Sequence, residues 1–170
     1  VVISQPTNGD PIMDYVTNIL QVYEQATGLE HFDGVGWYTT ARGDAVAIAD
    51  RHELPLHIVV GVIAALSPTN RWERNIKDAD AMCEAFVSGG YVEDVVVCTY
   101  GKMRDKAWTI LEDMPEDAQV VANIPKGPKI TAFFWCILGH VVCVMDEHAW
   151  SIANVNRRTL QEVPNIGNKK

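Results

Sequence analysis

The sequence predicts an all-α fold, and two observations support this prediction. Apolar residues recur at intervals of three and four along most of the chain, which is typical of helices with one buried face. The one convincing run with strand character is Val141–Val144. A single short run does not build a sheet, so we expect helices packed on helices around one core.

The first predicted helix begins at Asp10-Pro11, because aspartate is a favoured N-cap and proline is favoured at the first helical position. Its apolar residues keep helical spacing as far as Gly28. The glycine-rich stretch of residues 33–36 predicts a turn, after which we expect a second helix over Trp37–His52.

The third predicted helix begins at Pro55 and continues to Leu66. It is apolar on nearly all sides, so we expect it at the centre of the core. A fourth helix follows, with Asn70 and Glu73 at the spacing of a capping box, and it is expected to end at Ser88.

The second half of the chain predicts a basic fifth helix over Gly101–Leu111. Ile124–Ala132 then contains a Gly/Pro turn at the start of a buried helix. Such a turn leaves backbone N–H groups unpaired, and a phosphate can bind there. Glu147–Asn156 predicts one more short helix, with Asp146 directly before it.

The size and composition of the chain indicate one domain. With 170 residues and 48% hydrophobic content, we expect a polar leader over residues 1–9 and a single helical domain over residues 10–170. The longest apolar stretch, Ile58–Leu66, is too short to span a bilayer, which indicates a soluble cytoplasmic protein without a membrane partner. The chain stops after a second Pro/Gly turn, which indicates a fragment of a longer product or a short end.

The charge distribution restricts the kind of partner. A net charge of −8 and a pI near 5.0 argue against broad, non-specific binding of nucleic acid. Most lysines and arginines nevertheless lie after residue 70, which permits a local basic surface. The cysteines form no C-x-x-C pair, so we expect buried thiols rather than a zinc or redox site at Cys83, Cys98, Cys136 and Cys143.

Four segments resemble, in the same order, motifs of the helix-hairpin-helix DNA glycosylase superfamily (HhH-GPD), which includes endonuclease III-like and MutY-like enzymes. They are Leu56–Phe86, Gly101–Leu111, Ile124–Ala132 and Met145–Trp150. Leu56–Phe86 is similar to the family's early core helix with its duplex-inserting turn, and Gly101–Leu111 is similar to its "G-x-x-x-x-K-A-x-x-I" helix. Ile124–Ala132 is similar to its "L-P-G-V-G-x-K-T-A" hairpin, and Met145–Trp150 is similar to its "V-D-x-H" motif. The resemblance covers roughly residues 55–157 and implies a helical glycosylase-like domain without its closing C-terminal helices.

The resemblance also implies roles for individual residues. Asp146 takes the position of the catalytic aspartate, and Lys129 is a second catalytic candidate, as the amine nucleophile of a bifunctional enzyme. His148 and Trp150 would lie in the substrate pocket. The residues expected to bind double-stranded DNA are Lys126, Gly127, Pro128, Thr69, Asn70, Arg71 and Trp72. No metal and no cofactor is expected.

Base excision explains why these residue types are needed. A glycosylase flips the target nucleotide out of the stack and stabilises the sugar as the C1′–N bond breaks. A carboxylate stabilises the positive charge that develops and activates water, which is the role expected of Asp146. The alternatives are an N-cap for Asp146, a solvated or phosphate-binding amine for Lys129, core packing for Trp72 and Trp150, and a surface pair for His148.

The chain departs from the family pattern in three places. The hairpin is one residue shorter, so the match of Lys129 to the family's lysine depends on where the gap lies. Thr69 or Asn70 stands nearest to the position of the family's inserted glutamine, and no cysteine cluster follows Asp146. These departures favour a monofunctional hydrolase over a lyase.

Three functions are compatible with the sequence. The leading hypothesis is a DNA glycosylase for a damaged, mismatched or modified base, acting in base excision repair. The second is a transferase on the same fold that modifies DNA bases, of the type proposed for phage base hypermodification, which implies a bacterial or phage-infected cell. The third is a non-catalytic helical module that binds DNA or protein, and the acidic net charge favours it.

Overall fold

A computed structural model describes residues 11–155, which contain eight α-helices, one short 3-10 helix and no strand. The all-α prediction is therefore confirmed for this part of the chain. The predicted leader, the Asp10 cap and the turn at residues 164–167 lie outside the described residues. The α-helices are α1 Pro11–Gln25, α2 Gly28–His52, α3 Leu56–Leu66, α4 Trp72–Val87, α5 Gly101–Asp113, α6 Ala118–Asn123, α7 Pro128–Leu138 and α8 Glu147–Ala153.

The chain divides into two compact units. Of the described residues, unit 1 comprises 11–35 and 145–155, and unit 2 comprises 36–144. The prediction of one domain over residues 10–170 stays a prediction, and each unit is described here by itself.

Helix α3 forms the centre of unit 2, as its all-round apolar sequence predicts. Every residue of Ile58–Leu66 is buried, and the helix packs against α4, α5, α6 and α7. A helix without a polar face has no side that favours water, so it is most stable when other helices surround it.

Gly61 lets α6 approach α3 closely. A Cβ atom at this position would lie 2.3 Å from Cγ1 of Val121 and 3.3 Å from Cγ2 of Ile110. Both neighbours are fully buried. Glycine is therefore required by the packing of three helices, and its cost in helix propensity, about 1 kcal/mol relative to alanine, is offset by this close contact.

Helix α2 begins earlier than predicted. The expected turn at residues 33–36 is wrong, because Gly28–His52 is one continuous helix. Its start is stabilised by a reciprocal capping arrangement, in which Thr27 N donates to Glu30 Oε2 at 2.7 Å and Glu30 N donates to Thr27 Oγ1 at 3.3 Å. Hydrogen bonds from Thr27 also hold the pKa of the Glu30 carboxyl below its ordinary value.

Two further predictions of local structure are wrong, and one helix was not predicted. Asn70 does not cap α4, whose N-cap is Arg71 without a side-chain hydrogen bond. Val141–Val144 forms no strand. The short helix α6 was not expected, although Asp117 caps it by accepting a hydrogen bond from Gln119 N at 2.8 Å. In the first two cases a local pattern is overridden by contacts made elsewhere in the fold.

Helices α5 and α7 agree with their predictions. Helix α7 has Pro128 in its first turn, and its C-cap is Gly139, whose φ of 98° suits glycine. The guanidinium of Arg42 donates a hydrogen bond to the carbonyl oxygen of Leu138 at the same end. This contact joins α2 to the end of α7.

In unit 1, α1 packs against α8. Asn18 joins them, because its side-chain amide donates to the carbonyl oxygen of Ala153 at 2.7 Å. Within residues 11–155, no helix combines the length and the apolar character that crossing a bilayer requires.

The predicted burial of the cysteines is correct for two of the four. Cys83 and Cys136 are buried, whereas Cys98 and Cys143 are exposed, so the prediction is wrong for the latter pair. Burial raises the pKa of the Cys83 thiol to about 12, and the nearby charge of Asp80 contributes. This thiol is consequently neutral at physiological pH.

Cys83 is expected to make the stability of the protein fall at alkaline pH. Its pKa rises from an ordinary 9.0 to about 12 in the fold. Between these values the unfolded chain has lost a proton that the folded chain retains, so the free energy of unfolding decreases with rising pH, by about 1.4 kcal/mol per pH unit. Urea denaturation of the wild type and of Cys83→Ala measures this slope. Equal slopes above about pH 9 in both proteins would contradict the assignment.

Candidate nucleic-acid interface

The turn between α6 and α7 has an unusual backbone. Lys126 and Gly127 both have positive φ angles, 58° and 115°, and the second is accessible almost only to glycine. Pro128 then begins α7, and Thr131 N donates to Gly127 O at 3.0 Å. The predicted DNA-binding residues Lys126, Gly127 and Pro128 are exposed, as is the candidate nucleophile Lys129.

Side chains from two other elements hold this turn in place. The ammonium group of Lys106, on α5, donates to the carbonyl oxygen of Pro125 at 2.7 Å. The hydroxyl of Thr131 donates to Ala122 O at 3.2 Å. Lys106 belongs to the motif that resembles the "K-A" helix, yet nothing in the sequence indicated that its amine would contact the turn.

The turn between α3 and α4 holds the second predicted group of DNA-binding residues. Thr69 is exposed and has a φ of 60°, a conformation that residues with a side chain rarely adopt. Thr99 supports the turn, because its hydroxyl donates to the carbonyl oxygen of Pro68 at 2.7 Å. Arg71, the N-cap of α4, is exposed beside it.

An aromatic cluster of Trp37, Tyr38, Trp72 and Phe133 links the two turns. Trp72, the first residue of α4, lies with its ring centroid 5.0 Å from that of Trp37 and 6.3 Å from that of Phe133. Phe133 is one helical turn after Lys129 on α7, so the two residues lie on the same face of that helix. Sequence reasoning missed Trp37, which is 38% exposed, because its partners are distant in the chain.

Trp72 takes the packing role, one of the two alternatives that the sequence left open. It is half-buried against the core, and its indole N–H donates to Asp44 Oδ2 at 3.1 Å. The hydrogen bond fixes the orientation of the ring, since a buried indole N–H needs an acceptor. Packing is therefore observed for Trp72, and base contact stays a prediction.

Positive charge in unit 2 is concentrated in residues 71–129. The two earlier arginines make internal contacts, Arg42 with the carbonyl oxygen of Leu138 and Arg51 with the carboxylate of Asp80. The later basic residues are Arg71, Arg74, Lys77, Lys102, Arg104, Lys106, Lys126 and Lys129. The two turns thus carry cations in a chain whose net charge is −8.

Asp146 lies in unit 1 and caps α8. Its Oδ1 accepts a hydrogen bond from Ala149 N at 2.9 Å, and the residue is half-buried. The N-cap is thereby observed, while the catalytic role stays a prediction. Lys129, the second catalytic candidate, belongs to unit 2.

The other two predicted pocket residues follow Asp146 on α8. The imidazole of His148 is exposed, and its Nε2 lies 3.8 Å from Oε1 of Glu147, which matches the predicted surface pair. Trp150 is half-buried. Across residues 11–155, no three His, Cys, Asp or Glu side chains are grouped so that they could hold a metal ion.

The fold and these turns define a helical protein with a candidate DNA-binding surface. The chain belongs to DUF7178, a family of unknown function, whose family model matches residues 3–167. Neither the curated proteins nor the solved structures include a significant match to the chain.

Proposed function

We propose that the protein is a DNA glycosylase-like enzyme that binds double-stranded DNA and cleaves the N-glycosidic bond of a damaged, mismatched or modified base. One observation carries the proposal. The α3–α4 turn is connected to α7, the helix that follows the other predicted DNA-binding turn, by the contact between Trp72, the first residue of α4, and Phe133, in the middle of α7. Two exposed turns that carry cationic residues and are connected through the same aromatic cluster are suited to contact two phosphates along one DNA backbone.

The α6–α7 turn supplies the phosphate contacts. Gly127 has no side chain and has a φ of 115°, and nothing lies within 4 Å of the place a Cβ atom would take, so the backbone of this turn is open to the approach of a phosphate. Lys126 adds positive charge from an exposed position. The hydrogen bond from Lys106 to Pro125 O fixes this turn before binding, which lowers the ordering entropy that binding costs.

Asp146 supplies the chemistry in this proposal. As the C1′–N bond breaks, its electron pair leaves with the base and positive charge develops on the sugar, where the carboxylate stabilises it. The oxygen of a water molecule bonds to C1′ while the same carboxylate takes a proton from that water, and this proton is passed on to the departing base. A lyase step would additionally need Lys129 as an amine nucleophile that bonds covalently to the sugar. Borohydride trapping of this covalent DNA adduct tests for such a step.

Two alternatives retain support from specific observations. The shortened hairpin and the absence of an inserted glutamine favour a base-modifying transferase on the same fold. The net charge of −8 and the N-cap role of Asp146 favour a non-catalytic binding module. Base release from a panel of modified and mismatched duplexes separates the glycosylase from both alternatives, because the glycosylase alone liberates a free base.

Duplex binding is expected to weaken steeply with rising salt. Each phosphate contact contributes about −0.9 to the slope of log K against log salt concentration, so Lys126→Ala should make the slope shallower by about 1. Fluorescence polarisation with a labelled duplex at several salt concentrations measures this. Arg51→Ala is the matched control, because it removes one positive charge that pairs with Asp80 away from both turns.

Two outcomes of this titration would contradict the proposal. If the wild-type chain does not bind a duplex at low salt, both DNA-enzyme functions fail. If Lys126→Ala and Arg51→Ala change the slope equally, the attraction depends on overall charge and the α6–α7 turn makes no phosphate contact.

A further inference from the structure

The carboxylate of Asp78 is buried on α4 and accepts hydrogen bonds from three separate parts of unit 2. Its Oδ1 accepts from Arg74 Nε at 2.6 Å, one turn earlier on the same helix. Its Oδ2 accepts from the side-chain amide of Asn70 at 3.0 Å and from the backbone N–H of Cys98 at 2.7 Å. The side chain of Asp78 is 2% exposed, so these partners replace water around the charge.

These hydrogen bonds connect the α3–α4 turn to the segment that leads into α5. Asn70 belongs to the turn and Cys98 to that segment, and both contact the same carboxylate oxygen. The neighbouring residue Thr99 makes a second link, from its hydroxyl to Pro68 O at 2.7 Å. The turn is therefore fixed at two points by a segment about thirty residues later in the chain.

The turn gains from such support because it contains an unfavourable backbone conformation and the helix after it begins without a side-chain cap. Thr69 has a left-handed backbone, which is unfavourable for a residue with a Cβ atom. Arg71 caps α4 without a side-chain hydrogen bond. On the other side, Asn75 anchors α4 to α3, because its buried amide donates to the carbonyl oxygen of Ile63 at 3.0 Å. Unusual backbone conformations of this kind persist where surrounding contacts determine them.

We infer that Asp78 is a positioning residue for DNA binding, which locks the α3–α4 turn onto residues 98–99 and so presents Thr69 and Arg71 to the duplex. The inference deepens the proposed function and rests on it. Asp78 itself does not touch DNA in this arrangement, because it is buried. A carboxylate suits the role since its two oxygens accept several hydrogen bonds at once, whereas an amide offers one acceptor oxygen.

The test compares Asp78→Asn with a matched control, Asp80→Asn. Asp80 lies two residues later on α4 and also contacts basic side chains, but its partners are Arg51 and His52 on α2, away from the turn. Amide hydrogen exchange of the free proteins reports the lock directly. In Asp78→Asn, exchange should accelerate together over residues 67–72 and 96–100, and in Asp80→Asn both segments should keep wild-type exchange.

Duplex affinity at low salt provides the second measurement. Asp78→Asn should weaken binding about as much as Arg71→Ala, on the order of tenfold, and the double variant should be no weaker than either single variant. This non-additivity distinguishes positioning from a general loss of stability, because independent effects add. Asp80→Asn should bind as the wild type does.

Several outcomes would overturn the inference. It fails if hydrogen exchange in Asp78→Asn changes within α4 alone, or if the effects of Asp78→Asn and Arg71→Ala on affinity add. If Asp78→Asn does not fold, Thr99→Val tests the same lock, and unchanged exchange over residues 67–72 in that variant rejects it. If the wild type binds no duplex, the proposed function fails, while the exchange measurement still decides whether the two segments are coupled.

Discussion

Asp146→Asn is expected to lower the rate of base release by at least about a hundredfold while the free energy of unfolding stays almost unchanged. Asparagine caps a helix as well as aspartate does, so the hydrogen bond to Ala149 N is retained. The neutral amide neither stabilises positive charge on the sugar nor takes a proton from water. The variant therefore separates the catalytic role from the structural one.

Asp146→Ala is the companion variant. It removes the cap together with the charge, so it should lose about 1 kcal/mol of stability in addition to activity. Single-turnover base release and urea denaturation measure the two effects. If the wild type releases a base and Asp146→Asn releases it equally fast, the aspartate only caps α8 and another group performs the chemistry.

Gly61→Ala is expected to destabilise the protein by about 1–3 kcal/mol, although alanine is the better helix former. The new Cβ atom would lie 2.3 Å from Cγ1 of Val121, far inside van der Waals contact. Val121 is fully buried, so close-packed neighbours limit how far its side chain can move aside. Thermal or urea unfolding followed by circular dichroism measures the loss.

Two further variants give this prediction its controls. Gly43→Ala, on α2, introduces a Cβ atom with nothing within 4 Å and should stabilise the protein by about 0.4–1 kcal/mol. In Gly61→Ala combined with Val121→Ala, the clash is removed, so the effects of the single changes should not add. Additive losses in the double variant would show that alanine at position 61 destabilises the protein for a reason other than the contact with Val121.

Among the predicted elements, α3 is the one whose position in the core followed directly from its uniform apolar sequence. Helix α3 has no polar side, and no arrangement other than a central helix buries it. The start of α2 was missed because Gly34 and Gly36 are typical of turns, while the Thr27 and Glu30 capping pair was not recognised. A capping box outweighs two glycines here, since a helix tolerates glycine at a modest cost.

The candidate site was predictable only in part. The two turns could be predicted because they contain glycine, proline and cationic residues, whose effect on the backbone depends on the local sequence. Trp37 and Phe133 meet through tertiary packing, and no spacing rule connects residues so distant in the chain. Asp78 was predictable in principle, because it shares the buried stripe of α4 with Asn75, Ala79 and Met82 at helical spacing. Two polar residues on a buried stripe indicate internal hydrogen bonds.

The central position of α3 also affects the protein during synthesis. Its packing partners α5, α6 and α7 end only at residue 138, long after α3 itself is complete. At about 5–20 residues per second, a ribosome needs on the order of four to fourteen seconds to add them. Through that interval the apolar segment Ile58–Leu66 of the nascent chain is not yet covered by these helices, and it is available to bind chaperones or to associate with other chains. The helix that makes the finished fold stable is thus its main aggregation risk before completion.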